Sequence, residues 1–84
     1  DLADFFIVLP GGIGTLEELA EIVTWKSLKI TDKKIFLLNI EGFYNNLLKQ
    51  FEVMKKNNFL HSDIFTEIII LKDISELKSK LDFN

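Results

Sequence analysis

The sequence predicts an α/β fold, a Rossmann-like parallel sheet with the element order β-α-β-α-β-α. Two observations predict it. Short apolar runs alternate with longer segments of helical periodicity, and the first apolar run ends in a glycine-rich turn that leads into a helix. Strands that alternate with helices lie parallel and are joined by right-handed crossovers. Ligands of such sheets bind at the carboxyl ends of the strands.

The elements follow one another without linkers or repeats. The predicted strands cover residues 4–9, 35–38 and 68–71, and the predicted helices cover residues 15–29, 43–57 and 75–81. The connector over residues 59–65 has room for a short helical turn. The first strand is apolar throughout, which indicates burial on both faces. Because such a strand opens the chain, we expect residues 1–84 to be a single partial domain, the C-terminal half of a larger one.

Composition excludes several classes of function. The chain carries a formal net charge of −3, and its ten basic residues form no run, so we expect no nucleic-acid partner. It contains no cysteine, signal peptide or long apolar span, so we expect a cytoplasmic protein without membrane association. His61 is the only histidine, and no cluster of metal ligands stands out, so we expect no metal.

The segment from Pro10 to Thr15 joins the first strand to the first helix and contains three glycines. Glycines allow a close approach of the backbone to a ligand, and the N–H groups and dipole of a helix N-terminus favour an anion. A tight turn without a ligand explains the loop equally well from the residues alone. The predicted phosphate-binding residues are Gly11, Gly12, Ile13, Gly14 and Thr15.

Two better-known phosphate loops do not fit this segment. A Walker A loop needs a lysine directly after its last glycine, and Thr15 follows Gly14 here. The dinucleotide fingerprint needs a third glycine where Glu17 stands, and a carboxylate there would repel a pyrophosphate. The glutamates that follow the loop instead suggest that the phosphate belongs to a substrate, with chemistry one turn away.

The pattern Pro-Gly-Gly-x-Gly-Thr-x-x-Glu is complete over residues 10–18, and further matches lie at residues 24–25 and 39–44. In these motifs the chain resembles the LOG family of nucleoside 5′-monophosphate phosphoribohydrolases, which release cytokinin bases and are often described as lysine decarboxylases. The resemblance implies hydrolysis of the N-glycosidic bond of a purine nucleoside 5′-monophosphate, to free base and ribose 5-phosphate, without a cofactor. It also implies a homodimer formed through helices of this region.

The resemblance implies that Glu18 is catalytic. Glycosidic cleavage passes through a ribosyl cation-like state, which a carboxylate stabilises directly or by activating water. We expect the helix N-terminus to keep Glu18 ionised, and we expect Glu21, on the same helix face, to approach the ribose hydroxyls. The alternative is structural: Thr15-x-x-Glu18 also reads as a capping box that only begins the helix.

The resemblance also shows what these residues lack. Family members use a catalytic arginine from their first half, and the 84 residues contain no arginine. Lys29 stands where the family usually has glycine. No lysine lies in the glycine loop to form a pyridoxal phosphate Schiff base, which speaks against lysine decarboxylation. Two alternatives remain: a non-catalytic phosphate-binding piece, or a structural piece that pairs through an open sheet edge.

Overall fold

Three parallel strands form the centre of the molecule in the computed structural model, which describes residues 5–60 and 62–81. Their spatial order is their order in the sequence, with Phe6 opposite Ile35 and Leu37 opposite Ile70. The strands are β1 (Phe5–Val8), β2 (Lys34–Leu38) and β3 (Ile69–Leu71). The predicted α/β class and parallel sheet are confirmed.

Four α-helices connect and cover the strands. The helical turn expected in the connector is present as α3, which Asp63 caps by accepting a hydrogen bond from the Phe65 N–H. Asp4, in the predicted first strand, and His61 lie outside the described residues. The helices are α1 (Ile13–Ser27), α2 (Asn45–Lys56), α3 (Ile64–Glu67) and α4 (Ile74–Leu81).

The core has two layers, one on each face of β2. Alternate side chains of a strand point to opposite faces, so Ile35 and Leu37 join the layer under α1 and α2, while Phe36 and Leu38 join the layer under α4. All four of these side chains are buried. β2 is therefore the central strand, and burial of its apolar side chains supplies much of the stability of the fold.

β1 is less buried than β2 in the described sheet. Only Val8 is buried, Phe5 and Phe6 are half-buried, and the Ile7 side chain is 41% exposed. The reason is position: β1 lies at the edge of the described sheet, and α4 packs on β2 and β3. The expectation of burial on both faces stays a prediction for β1, because it assumed neighbours outside the 84 residues.

Both long helices end in a left-handed residue, Lys29 after α1 (φ 65°) and Asn58 after α2 (φ 62°). At the end of α1, the Ile30 N–H donates to the Trp25 carbonyl at 2.8 Å, and the Lys29 N–H donates to the Lys26 carbonyl at 3.1 Å. These two bonds form a Schellman motif, which satisfies carbonyls that the last helical turn leaves open.

The helices are short relative to a bilayer. α1 is the longest of those described, with 15 residues. Within residues 5–60 and 62–81, no helix combines the length and the apolar character needed to cross a membrane.

Candidate functional site

The glycine loop carries the chain from the carboxyl end of β1 to the N-terminus of α1. Gly12 is the N-cap residue, and no side chain caps the helix within the described part of the chain. The first helical hydrogen bond runs from the Leu16 N–H to the Gly12 carbonyl at 3.1 Å. The N–H groups of Ile13, Gly14 and Thr15 therefore lie at the positive end of α1 without a carbonyl one turn back. This geometry suits an anion, and phosphate binding by these residues stays a prediction.

The glycines of the loop differ in what the fold requires of them. A Cβ at Gly11 would lie 2.2 Å from Thr15 Oγ1, so close packing of the loop on α1 requires glycine there. A Cβ at Gly12 or Gly14 would meet nothing within 4 Å. Packing therefore explains Gly11 but not Gly12 or Gly14, which leave open space beside the helix N-terminus.

The structure corrects the predicted start of α1. The helix begins at Ile13, two residues before the predicted start at Thr15, because Gly12 serves as N-cap. Thr15 is thus the third helical residue and no N-cap, so the capping-box alternative for Thr15 and Glu18 is wrong. The first turn of α1 contains no acidic residue. Glu18 lies beyond that turn.

A groove of about 560 Å³ lies between β1 and α1. Its volume falls in the range of roughly 300–1,000 Å³ typical of small-molecule sites. Residues 6–10 form one wall, and one face of α1 forms the other, over a length of about 15 Å at 1.5 Å per residue. The groove thus brings together Thr15, Glu18 and Glu21 of the predicted site. The other predicted residues, over residues 11–14, do not line it. The helical wall consists of Thr15, Glu18, Glu21, Ile22 and Trp25.

The two carboxylates of the groove are exposed and form no hydrogen bond or ion pair with another described residue. Glu18 lies one turn beyond Thr15, and Glu21 one turn beyond Glu18, so both follow the loop along the same wall. Their neighbour Glu17 is exposed and does not line the groove. Glu18 and Glu21 are therefore placed to act on a ligand whose anionic end lies at the loop.

Trp25 is the groove residue that sequence reasoning missed. Trp25 belongs to the apolar stripe of α1, and its side chain is 38% exposed and lines the groove. The signal was present in the sequence, since Trp25 continues the spacing of three to four residues that links Thr15 and Glu18. The same spacing also fits the apolar stripe that faces the core, so it does not distinguish a core residue from a groove residue.

A second loop meets the glycine loop at the carboxyl edge of the sheet, as predicted. Asn39 Oδ1 accepts a hydrogen bond from the Tyr44 N–H at 2.6 Å. The Tyr44 phenol donates to the Leu9 carbonyl at 2.5 Å. Burial raises the pKa of the Tyr44 phenol, and a backbone hydrogen bond from Gly11 partly opposes this rise. Tyr44 therefore joins the two loops.

The turn before Tyr44 depends on glycine. Gly42 adopts φ +72°, a left-handed conformation, and a Cβ there would lie 2.6 Å from Asn45 Nδ2. Asn45 in turn accepts a hydrogen bond from Asn39 Nδ2 at 2.7 Å. Asn39 and Gly42 are thus explained by the geometry of this turn.

Within the described ranges, no group of three or more His, Cys, Asp or Glu side chains is arranged to hold a metal ion.

Fold and site together define a class: a Rossmann-like α/β protein in which a glycine loop leads into a helix, and that helix lines a groove with two carboxylates. Residues 1–81 match the model of the family described as "Possible lysine decarboxylase", and the chain belongs to that family.

Curated relatives are named for a different reaction. The chain is 44% identical over 80 residues to cytokinin riboside 5′-monophosphate phosphoribohydrolase LOG4 of Arabidopsis thaliana. The matched region is 95% of this chain and 37% of that protein. It is 43% identical over 79 residues to the probable LOG4 enzyme of Oryza sativa subsp. japonica, covering 94% of this chain and 34% of that protein. The chain thus spans little more than a third of these relatives, and its predicted resemblance to the LOG family is confirmed.

Proposed function

We propose that the protein hydrolyses the N-glycosidic bond of a purine nucleoside 5′-monophosphate of the cytokinin type, giving free base and ribose 5-phosphate. The observation that carries the proposal is the groove, in which Thr15, from the first turn of a helix without a side-chain cap, and the carboxylate of Glu18 share one wall. The names of the relatives support this substrate class. The reaction needs water and no redox cofactor.

In this proposal the 5′-phosphate binds at Gly11–Thr15. The N–H groups of Ile13, Gly14 and Thr15 point from the positive end of α1, and each donates to a phosphate oxygen. The open space at Gly12 and Gly14 gives the phosphate room to approach the backbone. Binding the remote phosphate fixes the position of the ribose, which lowers the entropic part of the barrier to cleavage.

Glu18 is the proposed catalytic residue. Positive charge develops on the ribose as the bond to the base breaks, and a carboxylate one helical turn from the phosphate site stabilises that charge or activates the attacking water. Glu21, one turn further along the groove, accepts hydrogen bonds from the ribose hydroxyls. The 84 residues contain no arginine, so the arginine that the family uses comes, in this proposal, from residues outside them.

A turnover assay tests the role of Glu18. Incubation with AMP and with a cytokinin riboside 5′-monophosphate, followed by chromatography of the free base, measures kcat for each substrate. We expect Glu18→Gln to lower kcat by about 10²–10³, the usual loss when one transition-state contact is removed. Glu17→Gln is the matched control: it removes the neighbouring exposed carboxylate, which lies outside the groove, and leaves kcat unchanged. Equal turnover of the two variants would contradict the assignment.

A non-catalytic phosphate-binding role is the second candidate, since the glycine loop and helix N-terminus suit an anion whether or not Glu18 acts in catalysis. The same assay, paired with AMP titration, separates the two. AMP binding without release of base supports the second candidate. Release of base that depends on Glu18 supports the enzyme, and a folded protein that does neither contradicts both.

We also propose a homodimer, as the resemblance implies. Leu28 at the end of α1 is 53% exposed, and Phe59, beside it on the wall of a second groove, is 81% exposed. Such side chains on neighbouring elements suit a subunit interface. Sedimentation equilibrium decides the matter, since a single monomer mass at all concentrations would contradict the dimer.

A further inference from the structure

We propose that Tyr44 is a positioning residue, whose buried hydroxyl holds the glycine loop in the conformation that binds the phosphate of the substrate. The inference rests on the proposed function, because it takes a phosphate as the ligand of the loop. Tyr44 itself does not touch the ligand. It acts through the backbone of Leu9 and Gly11, on either side of Pro10.

The glycine loop has few backbone contacts of its own. The pairing of β1 with β2 ends at Val8, and α1 begins at Ile13, so the segment between them belongs to no strand or helix. Pro10, in the middle of this segment, has no N–H to donate. The Tyr44 phenol donates to the Leu9 carbonyl, and the Gly11 backbone bonds to the phenol oxygen. One side chain, 35 residues from Leu9 in the sequence, thus ties both sides of Pro10 to the core.

Tyr44 is itself rigidly held. Its side chain is 2% exposed and packs in the core layer that contains Val8 and Leu19. Its ring meets the Phe43 ring edge-to-face, with 4.9 Å between the centroids. The Tyr44 N–H is fixed by Asn39 Oδ1. Because ring and backbone are both anchored, the hydroxyl offers the loop a contact point that moves little.

The hydroxyl is the part of Tyr44 that packing does not explain. A phenylalanine ring fills nearly the same volume, and it avoids burying a polar atom that needs a partner. The partners of this hydroxyl lie in the loop and not in the core. The hydroxyl therefore contributes to the geometry of the loop, in which several N–H groups must point at one anion. A loop that is already ordered before binding loses less conformational entropy when the ligand binds.

This arrangement predicts which kinetic constant depends on Tyr44. Glu18 lies on α1, beyond the loop, and does not depend on the phenol for its position. A looser loop weakens binding of the phosphate in the ground state and the transition state alike, which raises KM and leaves kcat nearly unchanged. A general loss of structure would instead lower the active fraction, and with it the apparent kcat.

Tyr44→Phe tests the proposal. In the ligand-free protein we expect faster amide hydrogen exchange at Gly11 and Gly12, with unchanged exchange in β2. With AMP we expect Kd and KM to rise by about tenfold, as for the loss of one buried hydrogen bond. Thr24→Val is the matched control, because it removes a hydroxyl that donates to the Ala20 carbonyl at 2.7 Å on the exposed side of α1. We expect the control to leave the affinity and the loop exchange unchanged.

The outcomes are separable. Loop exchange and AMP affinity equal to those of Thr24→Val would overturn the proposal, as would a fall in kcat at constant KM. If the wild-type protein binds no AMP, the proposed function fails, and the exchange of the loop amides still decides whether Tyr44 holds the loop.

A second pair of variants covers the case in which Tyr44→Phe does not fold. Asn39→Ala removes the acceptor of the Tyr44 N–H, whereas Asn39→Asp retains an oxygen at that position. We expect weaker AMP binding for Asn39→Ala and recovery for Asn39→Asp. Equal affinity of both variants and the wild type would overturn the proposal.

Discussion

Gly11 and Gly14 lie three residues apart in the sequence and have opposite consequences for the fold. We predict that Gly11→Ala destabilises the protein by about 1–3 kcal/mol, because the new Cβ is forced against Thr15 Oγ1. Gly14→Ala meets open space at a helical position, so it raises stability by about 0.5–1 kcal/mol. Urea denaturation measures both changes.

The Gly14→Ala variant also tests whether the open space beside Gly14 holds the phosphate. If the phosphate binds there, Gly14→Ala weakens AMP binding while it stabilises the fold, since its Cβ enters the space beside the backbone N–H groups. Full AMP affinity in this more stable variant would show that the ligand lies elsewhere.

The Tyr44 phenol makes the free energy of unfolding depend on pH in the alkaline range. Burial raises the pKa of Tyr44 above its usual value of 10.0, so the folded protein holds this proton more tightly than the unfolded chain. The contribution is fully present below pH 10.0 and is lost as the pH rises through the folded-state pKa. We predict that the difference in unfolding free energy between wild type and Tyr44→Phe shrinks above pH 10.0. A constant difference across that range would contradict the prediction, and lysine titration cancels in the comparison.

For single residues, the sequence predicted which side chains of α1 share a face better than it predicted how the helix begins. The spacing of Thr15, Glu18 and Glu21 predicted one helix face, and the structure places all three in one groove. The capping-box alternative was wrong. The sequence favours Thr15 as a cap, but Gly12 caps the helix two residues earlier through its backbone alone.

At the scale of the elements, a residue just after α1 has a strained backbone conformation that a glycine would relieve. Lys29 occupies a left-handed position that disfavours a residue with a Cβ. We predict that Lys29→Gly stabilises the protein by about 0.5–1 kcal/mol, measured as a shift in the urea midpoint.

The end of α2 supplies the control for this prediction. Asn58 occupies the equivalent left-handed position, and asparagine tolerates it better than lysine does. Asn58→Gly should therefore give a smaller gain than Lys29→Gly. A larger gain at Asn58 would show that the strain at Lys29 is relieved by other contacts.

Helices and strands were predictable from their periodic patterns. The burial of a strand was less predictable, because it depends on the neighbours of that strand. The apolar run of β2 predicted a strand, and the structure shows that strand buried on both faces. The run of β1 looks the same in sequence, yet Ile7 is 41% exposed. The difference lies in the position of each strand in the sheet, which the composition of a single strand does not encode.

For the molecule as a whole, the alternation of strands and helices predicted the sheet topology, and the topology predicted the site. Parallel strands bring successive carboxyl ends to one edge, so the glycine loop and the Asn39–Tyr44 segment had to meet there. The hydrogen bond between Tyr44 and Leu9 shows that they do. The specific contact was not predictable, because it joins residues 35 positions apart and depends on side-chain geometry.

The central claim is that this edge of the sheet binds the 5′-phosphate of a nucleotide, and calorimetric titration with AMP and with adenosine tests it most directly. The two ligands differ only in the phosphate, so a site built on the N–H groups of Ile13, Gly14 and Thr15 must separate them. We predict that AMP binds, that inorganic phosphate competes with it, and that adenosine binds at least tenfold more weakly, about 1.4 kcal/mol. Equal affinity for AMP and adenosine, or no binding of AMP by the folded protein, would contradict the account.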